Sequence, residues 1–322
     1  MAVASTVACL SLPGAASAQG NPAAYPAKPV TLILPLAAGG PVDVETRVYS
    51  TKLTEMTGQP FLVDYKLGAA GTIAGAYVAK AAPDGYTVLV VNGAFTTFPA
   101  LYTNLSFDVL KDFAPVSLAS KRGQLLLVSP SFPAKTYAEY IAYARANPGK
   151  INLGTTGAGS GTHLAGAWLH SATNTRVTFV HYKGTGPLLP DLMAGRIDVT
   201  VAAVPPTLQL IKSGKLRALA MMGDRRTSFL PDLPTVAEMG VPGYDYSGYT
   251  GFFAPGATPP ALVARLNEVF VKAVKSPDVS SRLEADGNIM VGSTPAQFRQ
   301  MLVTEAAVWR KVVDENGIKL EE

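Results

Sequence analysis

Short apolar runs alternate with longer amphipathic segments along most of the chain. The runs are rich in Val, Ile, Leu and aromatic residues, and Gly, Pro or Asn bounds them, as is typical of strands. Several are apolar at successive positions, as expected of strands that helices cover on both faces. We predict strands at residues 29–36, 61–65, 86–91, 124–128, 151–154, 177–181, 197–201, 216–221 and 249–254.

The segments between these runs carry helix start signals. Thr136 is followed three residues later by Glu139, and Thr294 by Gln297, which is the capping-box pattern. A Thr-Pro-Pro sequence at 258–260 precedes a third stretch with apolar residues at helical spacing. Strands that alternate with helices in this way predict the α/β class, with mostly parallel sheets.

The composition supports two domains. The 322 residues are 48% hydrophobic and 16% charged, and a single core stops growing near about 250–300 residues. Because no Gly/Ser-rich linker divides the chain, we expect it to cross between the two domains more than once. The formal net charge is only +4, and no cluster of five basic residues occurs, so no nucleic-acid partner is expected.

The N-terminal segment has the pattern of a secretory signal peptide. The first 18 residues carry no charge and are mostly apolar or small, and the triplet 16–18 reads Ala-Ser-Ala, which is an A-x-A cleavage signal. We expect cleavage after about Ala18, which would leave a soluble protein in the periplasm. The single cysteine, Cys9, lies inside this segment, so the mature chain would have no disulfide, thiol nucleophile or cysteine metal site.

Five glycine-bearing loops follow or lie near predicted strands. Ligands of open α/β sheets bind outside the carboxyl ends of the strands. Glycines there let backbone N–H groups approach a ligand, and a following helix N-terminus carries about half a positive charge, which favours an anion. These loops therefore predict an anion site, and they are Pro35–Asp43, Gly68–Gly71, Asn92–Ala94, Thr155–Thr162 and Lys183–Gly186.

Other kinds of site fit the sequence less well. The glycines at 157, 159 and 161 lack the dinucleotide spacing, and no acidic residue ends the following strand. His163 and His170 stand seven residues apart with no carboxylate at ligand spacing, so neither a metal nor a cofactor is expected. A hydrolase or transferase that uses Ser160 with His163 or His181 is an alternative, although no matching motif contains an acidic residue to orient the base.

Nine short strings of residues occur in order between Tyr25 and Gly240. They are Tyr25–Val30, Pro35–Asp43, Gly68–Gly71, Ala82–Thr87, Lys111–Val116, Ser160–Gly166, His181–Gly184, Gly214–Ala220 and Leu233–Gly240. With these strings the chain resembles the substrate-binding receptors of tripartite tricarboxylate transporters, the Bug family of periplasmic solute receptors. The resemblance covers essentially the whole chain from Tyr25 onward.

The resemblance implies a type II periplasmic-binding-protein fold, in which two α/β lobes close over a ligand. Lobe one would comprise residues 25–124 and 250–322, and lobe two residues 125–249. The implied protein is a monomer and not an enzyme, and it captures a small carboxylate and delivers it to integral membrane transporter subunits. The alternative is a periplasmic sensor or adaptor, which would use the same fold to present its ligand-bound form to a signalling partner.

The resemblance also implies how the carboxylate is held, namely by backbone N–H groups, hydroxyls and ordered water rather than by an arginine. Carried over to this sequence, the implied ligand-binding residues are Leu36, Ala38, Gly39, Gly40, Asn92, Phe95, Thr155, Thr156, Ser160, Thr162, His163, Tyr182, Lys183, Gly184 and Ala202.

Two of these positions depart from the pattern of the family. Most relatives have an acidic residue where this chain has Ala202, and many have polar residues where it has Ala94 and Phe95. The resemblance therefore implies a less polar cleft, in which an aromatic ring could pack on a flat ligand. This favours a carboxylate with an apolar or aromatic body, such as terephthalate or another phthalate isomer, over an amino acid or citrate.

Overall fold

The computed structural model describes residues 25–36 and 38–318. The first part of the chain contains β1 (Val30–Leu34), α1 (Pro41–Thr57), β2 (Phe61–Tyr65), α2 (Thr72–Ala79), β3 (Thr87–Asn92), α3 (Phe98–Leu101) and β4 (Phe113–Arg122). The middle part contains β5 (Gln124–Val128), α4 (Tyr137–Ala146), β6 (Asn152–Thr155), α5 (Gly161–Ala172), β7 (Thr178–His181), α6 (Thr185–Met193), β8 (Val199–Ala203), α7 (Val204–Lys212) and β9 (Arg217–Met221). The last part contains β10 (Gly248–Pro255), α8 (Pro260–Val274), α9 (Pro277–Ala285), β11 (Asn288–Met290) and α10 (Pro295–Asn316).

The strands form two mixed sheets. The first sheet has the order β11-β4-β10-β3-β1-β2, and the second has the order β7-β6-β8-β5-β9. Four strand pairings are parallel and five are antiparallel, so the expectation of mostly parallel sheets is wrong. The reason is that β10 lies antiparallel between β3 and β4, while β5 lies antiparallel between β8 and β9. The α/β class itself is confirmed.

The central strands are buried on both faces. In β5, Leu126 and Val128 contribute to one apolar cluster, whereas Leu125 and Leu127 contribute to a second cluster on the opposite face. All four side chains are fully buried. Successive side chains of a strand point to opposite faces, so a strand that helices cover on both sides has a continuous apolar sequence, as this strand has.

The predicted helix starts are present. The Thr136 hydroxyl accepts a hydrogen bond from the Glu139 N–H at 3.2 Å and caps α4. At α10 the reciprocal capping box forms, because Thr294 accepts from the Gln297 N–H at 3.2 Å and the Gln297 side chain accepts from the Thr294 N–H at 3.0 Å. Helix α8 begins at Pro260, as the Thr-Pro-Pro signal predicts.

Strand β4 is one of two strands that the apolar pattern does not reveal. It contains Pro115 and several polar residues, which interrupt the run. Pro115 is tolerated because the pairing with β10 shifts register beside it. Ser117 donates to the Ser293 carbonyl at 2.9 Å, and Ser120 donates to Glu45. The strand can therefore lie in the interior because its polar groups have partners.

The chain passes between the two sheets at two adjacent places. Gly123 alone separates β4 from β5, and the return path runs through residues 222–247. The two paths are hydrogen-bonded to each other, since the Met222 N–H donates to the Gln124 carbonyl at 2.8 Å and the Tyr246 N–H donates to the Met222 carbonyl at 2.7 Å. The sheets are thus joined by a pair of neighbouring segments.

Helix α10 follows the strands of the first sheet but packs on α5, which belongs to the second sheet. Leu164 and Ala167 of α5 share an apolar cluster with Trp309, Val312 and Val313 of α10. Within the described ranges, no helix has the length and hydrophobicity that a membrane span needs. The predicted signal peptide lies outside the described residues.

Candidate ligand-binding cleft

A cavity of about 730 Å³ lies between loops that follow strands of both sheets. Its volume is in the range of about 300–1,000 Å³ that is typical of small-molecule sites. The first sheet and its helices contribute Leu36, Gly39–Glu45, Asn92–Ala94, Thr97, Arg122, Leu283, Asp286, Asn288, Glu305 and Trp309. The second sheet and the crossing segments contribute Gln124, Thr156, Ser160–Thr162, Ala203, Pro205, Pro206 and Tyr246–Gly248.

The N-terminus of α1 forms one wall of the cavity. Gly40 is the N-cap residue in an extended conformation, and Pro41 occupies the first helical position, where its fixed φ suits the helix and its missing N–H costs nothing. Asp43 is the third helical residue and not the N-cap. Its carboxylate accepts a hydrogen bond from the Gly39 N–H at 2.8 Å, so it fixes the loop that leads into the helix.

Asp43 is held in its ionised form by its neighbours. Burial alone would raise the pKa of this carboxyl, but hydrogen bonds from the Gly39 N–H, the Tyr65 hydroxyl and the Arg47 guanidinium lower the pKa below its usual value. Arg47 lies one helical turn away at 3.1 Å. The negative charge of Asp43 is therefore already neutralised by groups of the protein.

The N-terminus of α5 forms another part of the cavity wall. The Ser160 hydroxyl caps the helix by accepting a hydrogen bond from the His163 N–H at 3.3 Å. The Thr162 hydroxyl accepts from the Thr156 N–H at 2.9 Å and lies 3.0 Å from the hydroxyls of both Thr156 and Ser160. Three hydroxyl groups are thus gathered at one end of the helix, on the wall of the cavity.

Two helix N-termini, one from the helices beside each sheet, therefore line the same cavity. Helix α1 has 17 residues and α5 has 12, so each is long enough to develop a helix dipole of about half a positive charge at its N-terminus. The first N–H groups of a helix have no partner within the helix. This arrangement favours an anion between the two walls.

The structure brings together about half of the predicted site residues. Leu36, Gly39, Gly40, Asn92, Thr156, Ser160 and Thr162 line the cavity. Ala38, Thr155, His163, Tyr182, Lys183 and Gly184 lie outside its wall.

The residues outside the wall have other partners. Thr155 is fully buried, and its hydroxyl lies 2.7 Å from Nδ1 of His181. Nδ1 of His163 accepts a hydrogen bond from the Gly159 N–H at 3.1 Å, and burial together with the nearby His181 lowers the pKa of His163 to about 4. The Tyr182 hydroxyl donates to Asp191 at 2.8 Å. These groups support the loops behind the wall.

Phe95 is a core residue, contrary to the expectation that it lines the cleft. Its ring lies among those of Phe98, Phe107, Phe113 and Phe253, with centroid distances from 5.1 to 6.0 Å, and its side chain is 3% exposed. The short 3-10 turn after β3 directs this side chain into the apolar cluster between sheet and helices.

Ala202 is also placed away from the cavity. Its side chain belongs to the apolar cluster on one face of the second sheet, whereas its neighbour Ala203 lines the cavity. Because side chains of a strand alternate between faces, a one-residue difference decides which of the two alanines can meet a ligand.

Comparison with known proteins decides the family. The sequence matches the tripartite tricarboxylate transporter family receptor over residues 46–318. The chain belongs to this receptor family. The predicted resemblance is therefore confirmed, and the members of this family are binding receptors rather than enzymes.

Curated and structural relatives agree with this assignment. Protein BugT of Bordetella pertussis is 33% identical over 92% of this receptor and 92% of its own length. An R. palustris protein determined with adipate is 34% identical and has a TM-score of 0.76, covering 92% of this receptor and 99% of that chain. MatC from Rhodopseudomonas palustris with bound malate is 33% identical and has a TM-score of 0.73, covering 90% of this receptor and 100% of that chain. The predicted fold of two α/β lobes is confirmed.

The geometry of this receptor gives no support to the hydrolase alternative. Ser160 is engaged as a helix cap, and among the described residues its hydroxyl has no hydrogen bond to a histidine ring. No group of three or more His, Cys, Asp or Glu side chains in the described part of the chain could hold a metal ion. Ser160 therefore lies on the cavity wall as the cap of α5.

Several cavity residues of this receptor escape prediction from sequence. Tyr246 comes from the return crossing, and Glu305 and Trp309 come from α10, more than 130 residues after the α5 loop that they face. A Cβ at Gly161 would overlap the Tyr246 hydroxyl, which explains the glycine. The spacing of Glu305 and Trp309, four residues apart on one helix face, is the only sequence signal that could have linked them.

Proposed function

We propose that this receptor captures a small carboxylate in the cleft between its two sheets and delivers it to the membrane subunits of a tripartite tricarboxylate-type transporter. The observation that carries the proposal is the convergence of the α1 and α5 N-termini on one cavity. Backbone N–H groups at these termini would form charge-assisted hydrogen bonds with a carboxylate, which are stronger than neutral ones. The hydroxyls of Thr156, Ser160 and Thr162 stand at the same place.

The carboxylate would be held without a counter-ion of its own. Arg122 is the arginine on the cavity wall, and its guanidinium donates to Glu45 at 2.6 Å and to the Tyr249 carbonyl at 3.3 Å. Its charge is therefore already paired inside the protein. An anion bound by dipoles alone can be released again, which suits a receptor that must hand over its cargo.

We propose a dicarboxylate with an apolar body as the cargo. The structural relatives solved with adipate and malate hold ligands of the dicarboxylate type. In this receptor the cavity also has apolar surface from Leu36, Val44, Pro205 and Pro206 and aromatic surface from Tyr246 and Trp309. We include an aromatic dicarboxylate such as terephthalate in this class. Its ring would pack on Tyr246 and Trp309, because Phe95 lies in the core and cannot contact it.

The two sheets would move as lobes. We propose that residues 25–124 with 250–322 form lobe one, that residues 125–249 form lobe two, and that the lobes approach each other when cargo binds. The chain passes between the sheets at Gly123 and again at the end of the segment 222–247, and hydrogen bonds hold these two places next to each other. This supports the proposal, because two adjacent crossings can act as a hinge. We further propose that the receptor works as a monomer in the periplasm after removal of residues 1–18.

A binding screen tests the function. The mature protein is heated with benzoate, terephthalate, succinate, adipate, malate, citrate and aspartate, and hits are measured by calorimetry. At a hundredfold excess over Kd a true cargo adds about 2.7 kcal/mol to the free energy of unfolding, which raises Tm. We expect a dicarboxylate with an apolar body to bind most tightly. Binding of aspartate or citrate alone would contradict the cargo class, and the absence of any hit would contradict the carboxylate receptor.

A further inference from the structure

Thr96 contacts two oxygen atoms that cannot both accept its proton. Its hydroxyl lies 2.8 Å from the Gly93 carbonyl and 2.8 Å from Oε2 of Glu305. A threonine hydroxyl has a single proton to donate. If this proton goes to the Gly93 carbonyl, the contact with Glu305 is a hydrogen bond only when Glu305 itself carries a proton and donates it to Thr96.

The surroundings of Glu305 also favour the neutral form. Glu305 lies on the cavity wall, and among the described residues no Lys, Arg or His forms an ion pair with it. A carboxylate that is withdrawn from water without a cation is costly. Burial raises the pKa of Glu305 to about 7, and the hydrogen bond from Thr96 opposes this rise.

The charged and titratable groups around Glu305 do not reverse this preference. Asp245, in the return crossing, raises the pKa of Glu305 further, and Lys121, on β4, lowers it. Lys121 is itself bound to Asp245 at 2.9 Å and to Asp224 at 3.0 Å. The two other titratable neighbours are the tyrosines Tyr246 and Tyr249.

Three further elements packed on α10 form no ion pair with Glu305, and Arg122 of β4, which lines the same cavity, is paired with Glu45. The 3-10 turn after β3 and helix α3 contain no titratable residue. On α5, both histidines are hydrogen-bonded within the second lobe, His163 to the Gly159 N–H and His170 to the side chains of Tyr140 and Thr175.

A second, independent observation points to a ligand at the same place. Trp309 follows Glu305 by one helical turn and lines the same cavity. Its indole Nε1–H is buried and has no acceptor among the described residues. Buried donors are normally satisfied, so this N–H fits a ligand that brings an acceptor, such as an oxygen of a carboxylate.

We propose that Glu305 takes up a proton to admit the second carboxylate of the cargo, and that Glu305 and Trp309 together select dicarboxylates over monocarboxylates and amino acids. This inference rests on the proposed carboxylate-binding function and specifies it. When the Thr96 hydroxyl turns from the Gly93 carbonyl and donates to Oε2 of Glu305, the proton on Oε2 returns to solvent and a proton from solvent binds Oε1 instead. Oε1 has no hydrogen-bond partner among the described residues, so it can donate this proton to the cargo. The step is one proton taken from solvent, and no covalent bond changes.

The ionised form of Glu305 would have the opposite preference. A carboxylate in the same place repels a second carboxylate of the cargo and attracts an ammonium group. The affinity for a dicarboxylate should therefore fall as the pH rises above about 7, by up to about tenfold for each pH unit. If aspartate binds with its ammonium group beside Glu305, its affinity should rise as the pH rises above about 7.

The first arm of the test measures cargo binding. Calorimetry with adipate and with hexanoate, which lacks the second carboxylate, is run from about pH 5.5 to about pH 8.5 in buffers of different ionisation enthalpy. We expect adipate to bind with proton uptake above about pH 7, and hexanoate to bind without it. The Glu305→Gln variant, which cannot ionise, should lose the pH dependence and should bind adipate about thirtyfold more tightly than the wild type near pH 8.5. The Glu315→Gln variant, on the same helix at a half-exposed position, should keep the pH dependence of the wild type. Adipate affinity that is constant with pH, or that rises with pH, overturns the inference.

The second arm needs no cargo. When folding raises the pKa of a carboxyl group, the free energy of unfolding of the protein falls as the pH rises from the pKa in the unfolded chain, about 4.5, to the pKa in the folded protein, about 7. The Tm of Glu305→Gln minus that of the wild type should therefore grow over this range and then level off. A constant difference overturns the inference even if acids bind. If the difference titrates but no acid of the panel binds, the proposed carboxylate receptor is contradicted instead.

Discussion

The Arg122 guanidinium lies 2.6 Å from the Glu45 carboxylate. This ion pair joins the last residue of β4 to α1, whose N-terminus lines the cleft. Glu45 is 1% exposed, and it also accepts hydrogen bonds from Tyr49 at 2.6 Å and Thr250 at 2.7 Å. Thr250 lies on β10, which is the strand after the return crossing. One buried carboxylate therefore holds α1 against both strands that lead to the second lobe.

Removal of this carboxylate should destabilise the protein strongly. In Glu45→Ala the guanidinium of Arg122 is left buried without its partner, which typically costs about 3–5 kcal/mol. We expect the free energy of unfolding, measured by denaturant titration, to fall by this amount. Lys311→Ala is the matched surface control, since Lys311 is 73% exposed and 3.8 Å from Glu315, and it should change stability by less than about 1 kcal/mol. Equal effects of the two variants would contradict the central role of the buried pair.

A side chain at Gly40 should block the cargo without disturbing the fold. Gly40 has φ −76° and ψ 165°, an extended conformation that valine also adopts, and it lies on the cavity wall. In Gly40→Val we expect cargo binding to be lost by calorimetry while Tm stays close to that of the wild type. Gly186→Val is the control, because a Cβ at Gly186 meets nothing within 4 Å and lies away from the cavity. Retained affinity in Gly40→Val would place the carboxylate elsewhere.

The hydroxyl of Thr156 should contribute to affinity. It lies on the cavity wall in the cluster with Thr162 and Ser160. We expect Thr156→Val to weaken cargo binding by about 1.5–3 kcal/mol, the usual range for a hydrogen bond to a charged group. Thr178→Val removes an exposed hydroxyl that bonds to the Gly149 carbonyl at 2.9 Å and should leave the Kd unchanged. If both variants bind alike, the hydroxyl cluster does not contact the cargo.

The buried histidines should make the protein less stable in acid. Burial lowers the pKa of His170 to about 4, and burial with the nearby His181 lowers that of His163 to about 4. The unfolded chain binds these protons near pH 6.5, so each histidine costs stability as the pH falls from about 6.5 to about 4, by up to about 1.4 kcal/mol per pH unit. In His170→Gln, denaturant unfolding across this range should show a shallower loss. If the free energy of unfolding falls with pH equally steeply in the variant and the wild type, His170 is not the source of the acid sensitivity.

Cargo binding should bring the lobes together. The two adjacent crossings would allow a hinge motion, and the cargo would touch α1 of one lobe and α5 of the other. We expect small-angle scattering to give a smaller radius of gyration at saturating cargo, with the mass of a monomer in both states. The Gly40→Val variant, mixed with the same cargo, serves as the control and should show no change. A radius that is unaffected by saturating cargo would contradict closure.

Local signals made much of the fold predictable. The threonines at 136 and 294 cap helices because their hydroxyls meet an N–H three residues later, and this depends only on nearby residues. The nine apolar runs each overlap a strand for a similar reason. Strand β4 could not be found in this way, because its polar residues are tolerated only through partners such as Glu45 and Ser293, which are distant in sequence.

The site was predictable where glycines and hydroxyls follow strands, and not where distant segments meet. From the predicted glycine loops, Leu36, Gly39, Gly40, Thr156, Ser160, Gly161 and Thr162 line the cavity. The sequence beside Phe95 gives no sign that four other phenylalanines surround its ring. Trp309, near the end of the chain, provides the aromatic wall instead, and only the packing of α10 on α5 places it there.

The position of β10 has a consequence for the order in which the two sheets can be completed as the chain emerges from its N-terminal end. The second sheet uses only strands from the continuous stretch 124–221, so its strands are all available once that stretch has emerged. The first sheet has β10 as an interior strand between β3 and β4, and it therefore has an open gap until residue 255 has been made. The lobe that starts first along the chain is thus the one that finishes last, and it must remain incomplete while its partner lobe takes shape.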